Sequence, residues 1–205
     1  MTTTVWDRQR VERERLVGYL RTLPESAWDE GSLCPDYRVR DVVAHLIAGA
    51  RSTPPRFLAD MVTSRFDFHA AMRKALMRHG DGSPAQLVAR LERAKDAKAR
   101  PGVTLLGEIV VHSEDIRRPL GAGPGDYDPA SVRVIADAYV GTAGPVGAKP
   151  RIAGLRLRAT DADWSTGDGP EASGVLLSLV LAMAGRKIAL AELSGPGVGL
   201  LAARD

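Results

Sequence analysis

Between Thr4 and Val140 the apolar positions recur at three- and four-residue intervals, the spacing that keeps one face of an α-helix against a core. Val5, Leu16, Val17 and Leu20 predict a first helix over about Thr4–Leu23, stopped by Pro24. The charges of "RQRVERER" alternate in sign and read as its salt-bridged solvent face. "PESAWDEGSLCPDY" reads as a loop punctuated by Gly31 and Pro35, before a second helix over Val39–Ala50. On that helix Val42, Val43 and Leu46 are apolar, and His45 stands beside Leu46 on the inward side. A third helical region is predicted between Pro55 and Arg78 and a fourth from Pro84 to Ala99. Pro84 suits a first turn, Leu87, Val88 and Leu91 form the stripe, and "ERAKDAKAR" is a solvated tail. "RPGV" then turns the chain into the helix "LLGEIVVHSEDIRRPLG", predicted to end near Arg117 with Pro119 and Gly121 as stop signals. A last helix of this series is predicted over Pro129–Val140.

The pattern changes at "GTAGPVGAKP", residues 141–150, which reads as a linker. Beyond it "RIAGLRLRAT" alternates apolar and basic residues, a strand signal, and "TDADWSTGDGP" is rich in turn residues. "EASGVLLSLVLAMAG" is predicted as a buried helix closed by Gly185, and "KIALAEL" as another strand. The expected fold is α+β: an antiparallel helical bundle over residues 1–143, then a small α/β unit over residues 151–205. Neither an internal repeat nor a low-complexity tract is visible.

Composition narrows the class. Of 205 residues, 44% are hydrophobic and 26% charged, which suits a soluble protein with a substantial core. A net charge of only +3 and an aromatic fraction of 5% argue against nucleic acid as partner. The opening "MTTTVWDRQR" lacks the apolar core of a signal peptide, and the longest apolar run, Val175–Ala184, is interrupted by Ser178 and is too short to span a bilayer. Cys34 is the single cysteine, so no intrachain disulfide forms, and a cytoplasmic protein that uses no membrane is expected.

One segment asks for a chemical explanation. Glu108 and His112 stand four residues apart in an apolar helix, so both project from one face. They could be a local hydrogen-bonded pair or two ligands of a metal. Helical bundles build metal sites from facing helices, which brings in His45. Two imidazoles and a carboxylate suit Zn²⁺ and leave a coordination position open, and iron or nickel accepts the same set. The spacing is not the H-E-x-x-H signature of zinc proteases. His69 and His79 lie among polar residues near turns and are not expected as ligands. Cys34 reads as buried filler, an extra ligand or a thiol nucleophile, and Asp41 as an orienting partner of His45 or a first-turn acid. Glu114 and Asp115 read as surface or capping groups, with Asp115 able to hydrogen-bond within the site. Arg186 reads as a helix-end cation, and Trp164 as a packing anchor between the bundle and the tail.

"SLCPDYRVRDVVAHLIAG" and "LLGEIVVHSEDIRRPLG" together resemble the two signature segments of the mycothiol-dependent maleylpyruvate isomerase family, a group of DinB/YfiT-like metal-binding bundles. "ATDADWSTGDGPEASGVLLSLVLAMAGRKIALAELSG" is similar to the C-terminal domain of that family, an α/β unit related to sterol-carrier folds. Tyr37 stands where the family usually has Trp, and Arg38 where it has Thr or Ser. The resemblance implies that His45, Glu108 and His112 bind a divalent metal, zinc first, and that Arg186 takes part in catalysis. It also implies mycothiol, the low-molecular-weight thiol of actinobacteria, as cosubstrate, and a small-molecule electrophile as substrate. The reaction implied is cis–trans isomerisation through a thiol adduct, or thiol transfer. A metal-dependent hydrolase on the same bundle and a non-enzymatic binder of a lipid or small molecule are the competing expectations. The assembly expected is a monomer or a homodimer.

Overall fold

The computed structural model describes residues 3–51, 54–94, 102–141 and 148–204. Its contacts divide the chain into two units, Met1–Asp126 and Tyr127–Asp205. The division falls ahead of the linker expected at 141–150, so the helix Pro129–Val140 joins the second unit rather than the bundle.

Helix α1, Val5–Leu20, opens with a reciprocal cap in which Thr4 and Asp7 satisfy each other's backbone N–H groups. Its Leu16, Val17 and Leu20 are buried as expected, but so are Gln9, Glu12 and Arg13. The run read as a solvent face is therefore partly internal. Arg13 reaches the carbonyl of Ala94 with Nη1, and Glu12 holds Arg15 at 3.1 Å, so the buried charges are bonded. Helix α2, Val39–Arg51, buries Val39, Val42, Val43, Leu46 and Ile47. The loop ahead of it contains a 3₁₀ turn, Glu25–Asp29, that inserts Trp28 into the core.

The third helical region is interrupted. It forms α3, Pro54–Thr63, and α4, Phe68–His79, separated by a turn in which Arg65 and Phe66 have positive φ of 54° and 62°. Asp67 then caps α4 by accepting from Ala70 N–H. Helix α5 spans Pro84–Arg93, ending before the expected Ala99; residues 95–100 lie outside the described residues. Ser83 and Gln86 form its capping box. Helix α6, Gly102–Arg117, starts beside Val5 and Trp6 and ends with Arg117 over the Tyr19 ring, so α1 and α6 run in the same direction. Leu16, Leu20, Val43, Ile47, Leu87, Leu91 and Ile109 meet in one core cluster.

In the second unit α7, Pro129–Val140, has the expected bounds and is capped by Asp128. Of the expected linker, residues 142–147 lie outside the described residues, and Ala148–Ile152 forms a short helix, α8. Ile152 is thus helical, and the strand β1 is confined to Arg156–Ala159, with Leu157 and Ala159 buried and both arginines exposed. β1 lies between β2, Ser165–Thr166, antiparallel, and β3, Glu171–Gly174, parallel, with Leu157 facing Thr166 and Ala172.

Two expectations fail here for one reason: tertiary closure overrides local pattern. "EASG" is β3 and not the start of a helix; helix α9 begins only at Leu176, whose N–H is accepted by Asp161. "KIALAE" is a 3₁₀ turn, Lys187–Glu192, in which Ala189 is buried, so its apolar alternation is not that of a strand. A last helix, α10, Gly197–Ala202, packs on β3, where a Cβ on Gly197 would stand 2.6 Å from the Pro170 carbonyl oxygen. Trp164 Nε1 donates to Asp137 on α7, so this anchor acts within the second unit. Among the described residues no helix is long and apolar enough to cross a membrane.

Candidate metal centre

Helices α2 and α6 bring His45, Glu108 and His112 together in the first unit. His45 Nε2 lies 4.0 Å from Glu108 Oε2, and the two side chains are 15% and 20% exposed. The rings of His45 and His112 meet edge to face, with centroids 4.8 Å apart and planes at 76°. Glu108 and His112 share a face of α6 by their four-residue spacing, and the buried Ile109, Val110 and Val111 between them hold that helix against the core. Asp41, one turn before His45, accepts from the backbone N–H and Nε of Arg38, which makes it a first-turn acid of α2.

His112 is held from behind. Its Nδ1 is 2.8 Å from Asp115 Oδ2, and a carboxylate there requires the ring to carry its proton on Nδ1. Nε2 is then the ring nitrogen not engaged by Asp115. Cys34 Sγ donates to the same Oδ2 at 3.2 Å and lies 3.7 Å from His112 Nδ1. Burial pushes the His112 imidazolium down, but the bonds to Asp115 and Cys34 outweigh it and raise the pKa to about 9.

The donor set fits a divalent cation. Two ligands of one zinc ion at about 2.0–2.2 Å stand roughly 3.4 Å apart at a tetrahedral angle. The 4.0 Å between His45 and Glu108 is near that separation. Among the described residues, the group of possible ligands whose atoms all lie within 4.8 Å of one another is Cys34, His112 and Asp115. In it, however, the 2.8 Å between Nδ1 and Oδ2 is a charge-assisted hydrogen-bond length, shorter than two ligands of one ion adopt. Its members are joined by hydrogen bonds through Asp115 Oδ2.

Glu114 and Asp115 were expected as surface or capping groups, with Asp115 able to hydrogen-bond within the site; the structure buries both completely and shows that bond, to His112. Glu114 accepts from Arg118 Nε at 2.8 Å and from Gly125 N–H at 2.9 Å, which ties the chain beyond α6 back onto the helix. The signal for Asp115 was present as H-x-x-D, an i,i+3 spacing on one helix face. His79 ends α4, and the side chain of His69 lies outside the described residues.

Arg186 belongs to the second unit. It follows α9, Leu176–Met183, and donates from Nη1 to the Ala184 carbonyl at 2.7 Å, as a helix-end cation does. It also lines a cavity of about 180 Å³ together with Arg151, Lys187 and Arg204. Arg151 is anchored on the Met183 carbonyl and Arg204 on those of Arg151 and Ala153. Gly185, at φ 84°, lets the Arg151 guanidinium lie against the backbone, where a Cβ would be 3.1 Å from it. In the first unit a cavity of about 460 Å³ is lined by Leu20, Trp28 and Val88 and by none of the three candidate ligands.

The fold class is α+β: a helical bundle carrying an imidazole–imidazole–carboxylate group, and a small unit of helices and a three-stranded sheet. Residues 10–101 match the model of the mycothiol maleylpyruvate isomerase N-terminal domain family, which bears out the family resemblance of the motifs. The matched stretch includes Cys34 and His45 and ends before Glu108 and His112. Two solved structures share the fold over nearly the whole chain. One is a histidine-to-alanine mutant of the mycothiol-dependent maleylpyruvate isomerase, with a TM-score of 0.63, 19% identity and 96% of each chain covered. The other is the mycothiol-dependent maleylpyruvate isomerase itself, with a TM-score of 0.61, 20% identity and coverage of 91% of this chain and 92% of that one. At such identities the likeness is one of fold. No curated protein matches the sequence.

Proposed function

We propose that the protein is a metal- and mycothiol-dependent enzyme acting on a small electrophile, by cis–trans isomerisation or by thiol transfer. The observation that carries this reading is the approach of both Glu108 and His112 on α6 to His45 on α2. In this reading these three hold a divalent cation, zinc by the chemistry of the donors. When bound, such a cation supplies stabilisation of a thiolate, which at an ordinary pKa of about 8.5 is mostly protonated at neutral pH.

The chain's own residues do the rest. Asp115 keeps the Nδ1 proton of His112 in place and so presents Nε2. Glu108 contributes the one negative charge among the three donors, leaving an attracting field for an incoming anionic sulfur. The sulfur adds to the activated double bond, the carbon–carbon bond that has become single rotates, and elimination restores both the double bond and the thiol. In the second unit Arg186, with Arg151, Lys187 and Arg204 around the same cavity, offers guanidinium and ammonium groups to an anionic group. The family domain and the two fold neighbours support the choice of mycothiol.

The test is turnover of maleylpyruvate by zinc-loaded protein freed of small thiols, with and without added mycothiol. Isomerisation, or a mycothiol conjugate, only in the presence of mycothiol is the expected result. Turnover that persists without any thiol overturns the reading in favour of a hydrolytic or thiol-free reaction.

A further inference from the structure

The strongest unexplained feature of the first unit is a completely buried carboxylate with two side-chain donors on one oxygen. Asp115 is 0% exposed, and its Oδ2 accepts from His112 Nδ1 at 2.8 Å and from Cys34 Sγ at 3.2 Å. A buried charge is costly unless several donors meet it, and an apolar side chain would close the same space more cheaply. Fastening the loop to the helix does not require the carboxylate either. The main chain already does so, because Leu33 N–H donates to the Asp115 carbonyl at 3.0 Å.

The loop that delivers Cys34 is itself closed. Ser32 Oγ donates to the Tyr37 carbonyl at 2.8 Å and accepts from Cys34 N–H at 3.1 Å. Tyr37 N–H donates back to the Cys34 carbonyl, and Gly31 bridges to Arg38. The thiol is therefore presented from a fixed backbone. Its S–H is engaged with Asp115, which leaves neither a nucleophilic nor a ligating role for it.

We infer that Asp115 and Cys34 are positioning residues for the candidate metal centre. Asp115 fixes the tautomer and plane of His112 so that Nε2 faces His45 and Glu108, and the Cys34 thiol fixes Asp115 by donating to the same Oδ2 beside the imidazole. The inference rests on the three-ligand reading above. It goes beyond that reading by assigning two further residues and by making the Cys34–Asp115–His112 group a support rather than a second metal site. Outer partners of ligating histidines commonly account for a 10–100-fold difference in metal affinity.

Cobalt(II) serves as the probe, with full-length protein as it exists and no added thiol. Wild type is expected to bind cobalt with a ligand-field spectrum that lacks the near-ultraviolet band of thiolate-to-cobalt charge transfer. Asp115→Asn is expected to weaken cobalt binding about 10–100-fold and to shift the ligand-field bands, while circular dichroism stays unchanged. Cys34→Ser, which keeps a donor, is expected to retain wild-type affinity; Cys34→Ala is expected to lose several-fold. In zinc-loaded protein, nitrogen NMR of His112 should show a protonated Nδ1 and a metal-bound Nε2. A charge-transfer band in wild type that Cys34→Ser removes would make Cys34 a ligand and overturn the inference, as would metal on Nδ1. An Asp115→Asn variant with unaltered affinity and spectrum overturns it while the three-ligand reading stands. Absence of cobalt binding by wild type overturns both.

Discussion

The two units gather polar side chains by different means. In Met1–Asp126 the groups that meet stand on helix faces: Glu108 and His112 on α6, and His45 on α2, each next to buried apolar neighbours. In Tyr127–Asp205 the cations of the cavity come from the short helix α8, from the turn after α9 and from beyond α10. Three of those cations are held by backbone carbonyls that the fold leaves pointing inward. A helix converts a four-residue spacing into a shared direction, so the first arrangement is written locally in the chain. The second depends on which turns close on which, and no spacing of Arg151, Arg186 and Arg204 encodes it. Donors fixed on helices suit a cation that demands defined geometry, whereas cations fixed by carbonyls suit a looser anionic group.

The contrast can be broken most severely from the core. Ile109 is 1% exposed between Glu108 and Val110 and belongs to the central cluster, so Ile109→Ala is expected to cost about 2–5 kcal/mol in chemical unfolding. If the loss is under about 1 kcal/mol, α6 is not the framework of the site. In the second unit the backbone is the sensitive part. Gly167 has φ 72°, and a Cβ there would stand 2.2 Å from the Leu155 carbonyl oxygen. Gly167→Ala is therefore expected to destabilise by about 2–3 kcal/mol through strain and clash together, read from its unfolding curve.

A smaller effect lies on the exposed face of the sheet. Arg158 donates to Glu171 across β1 and β3, and this bond holds the Glu171 carboxyl below its ordinary value. Because the folded pKa is the lower one, the contribution is present above about pH 4.5 and fades as pH falls through the folded value. Unfolding midpoints of wild type and Arg158→Gln should therefore converge on acidification. Curves that stay parallel down to about pH 3 would show that the pair does not couple to folding.

Much of the first unit was legible before any coordinates. The stripes of α2 and α5, the first-turn Pro84 and the E-x-x-x-H pair of α6 follow directly from residue spacing. The buried charges of α1 were not legible, because Glu12 and Arg13 look like any solvated run until Ala94 and Arg15 are placed beside them. For Asp115 a hydrogen bond within the site was foreseen, but not the partner Cys34, which lies 81 residues away in sequence. In the second unit "KIALAE" alternates like a strand yet turns as a 3₁₀ helix, and β3 was hidden in front of α9 because the apolar run swamped its four residues. Short elements carry too few residues for periodicity to outvote the contacts around them.

The account stands or falls on whether His45, Glu108 and His112 hold one cation. Isothermal titration of metal-stripped wild type and His45→Ala with zinc(II) measures this directly, with circular dichroism confirming that both are folded. One ion per chain bound by wild type, with affinity reduced at least 100-fold in His45→Ala, is the result expected. Wild type that takes up no zinc, or a folded His45→Ala that binds it as tightly as wild type, would contradict the central claim.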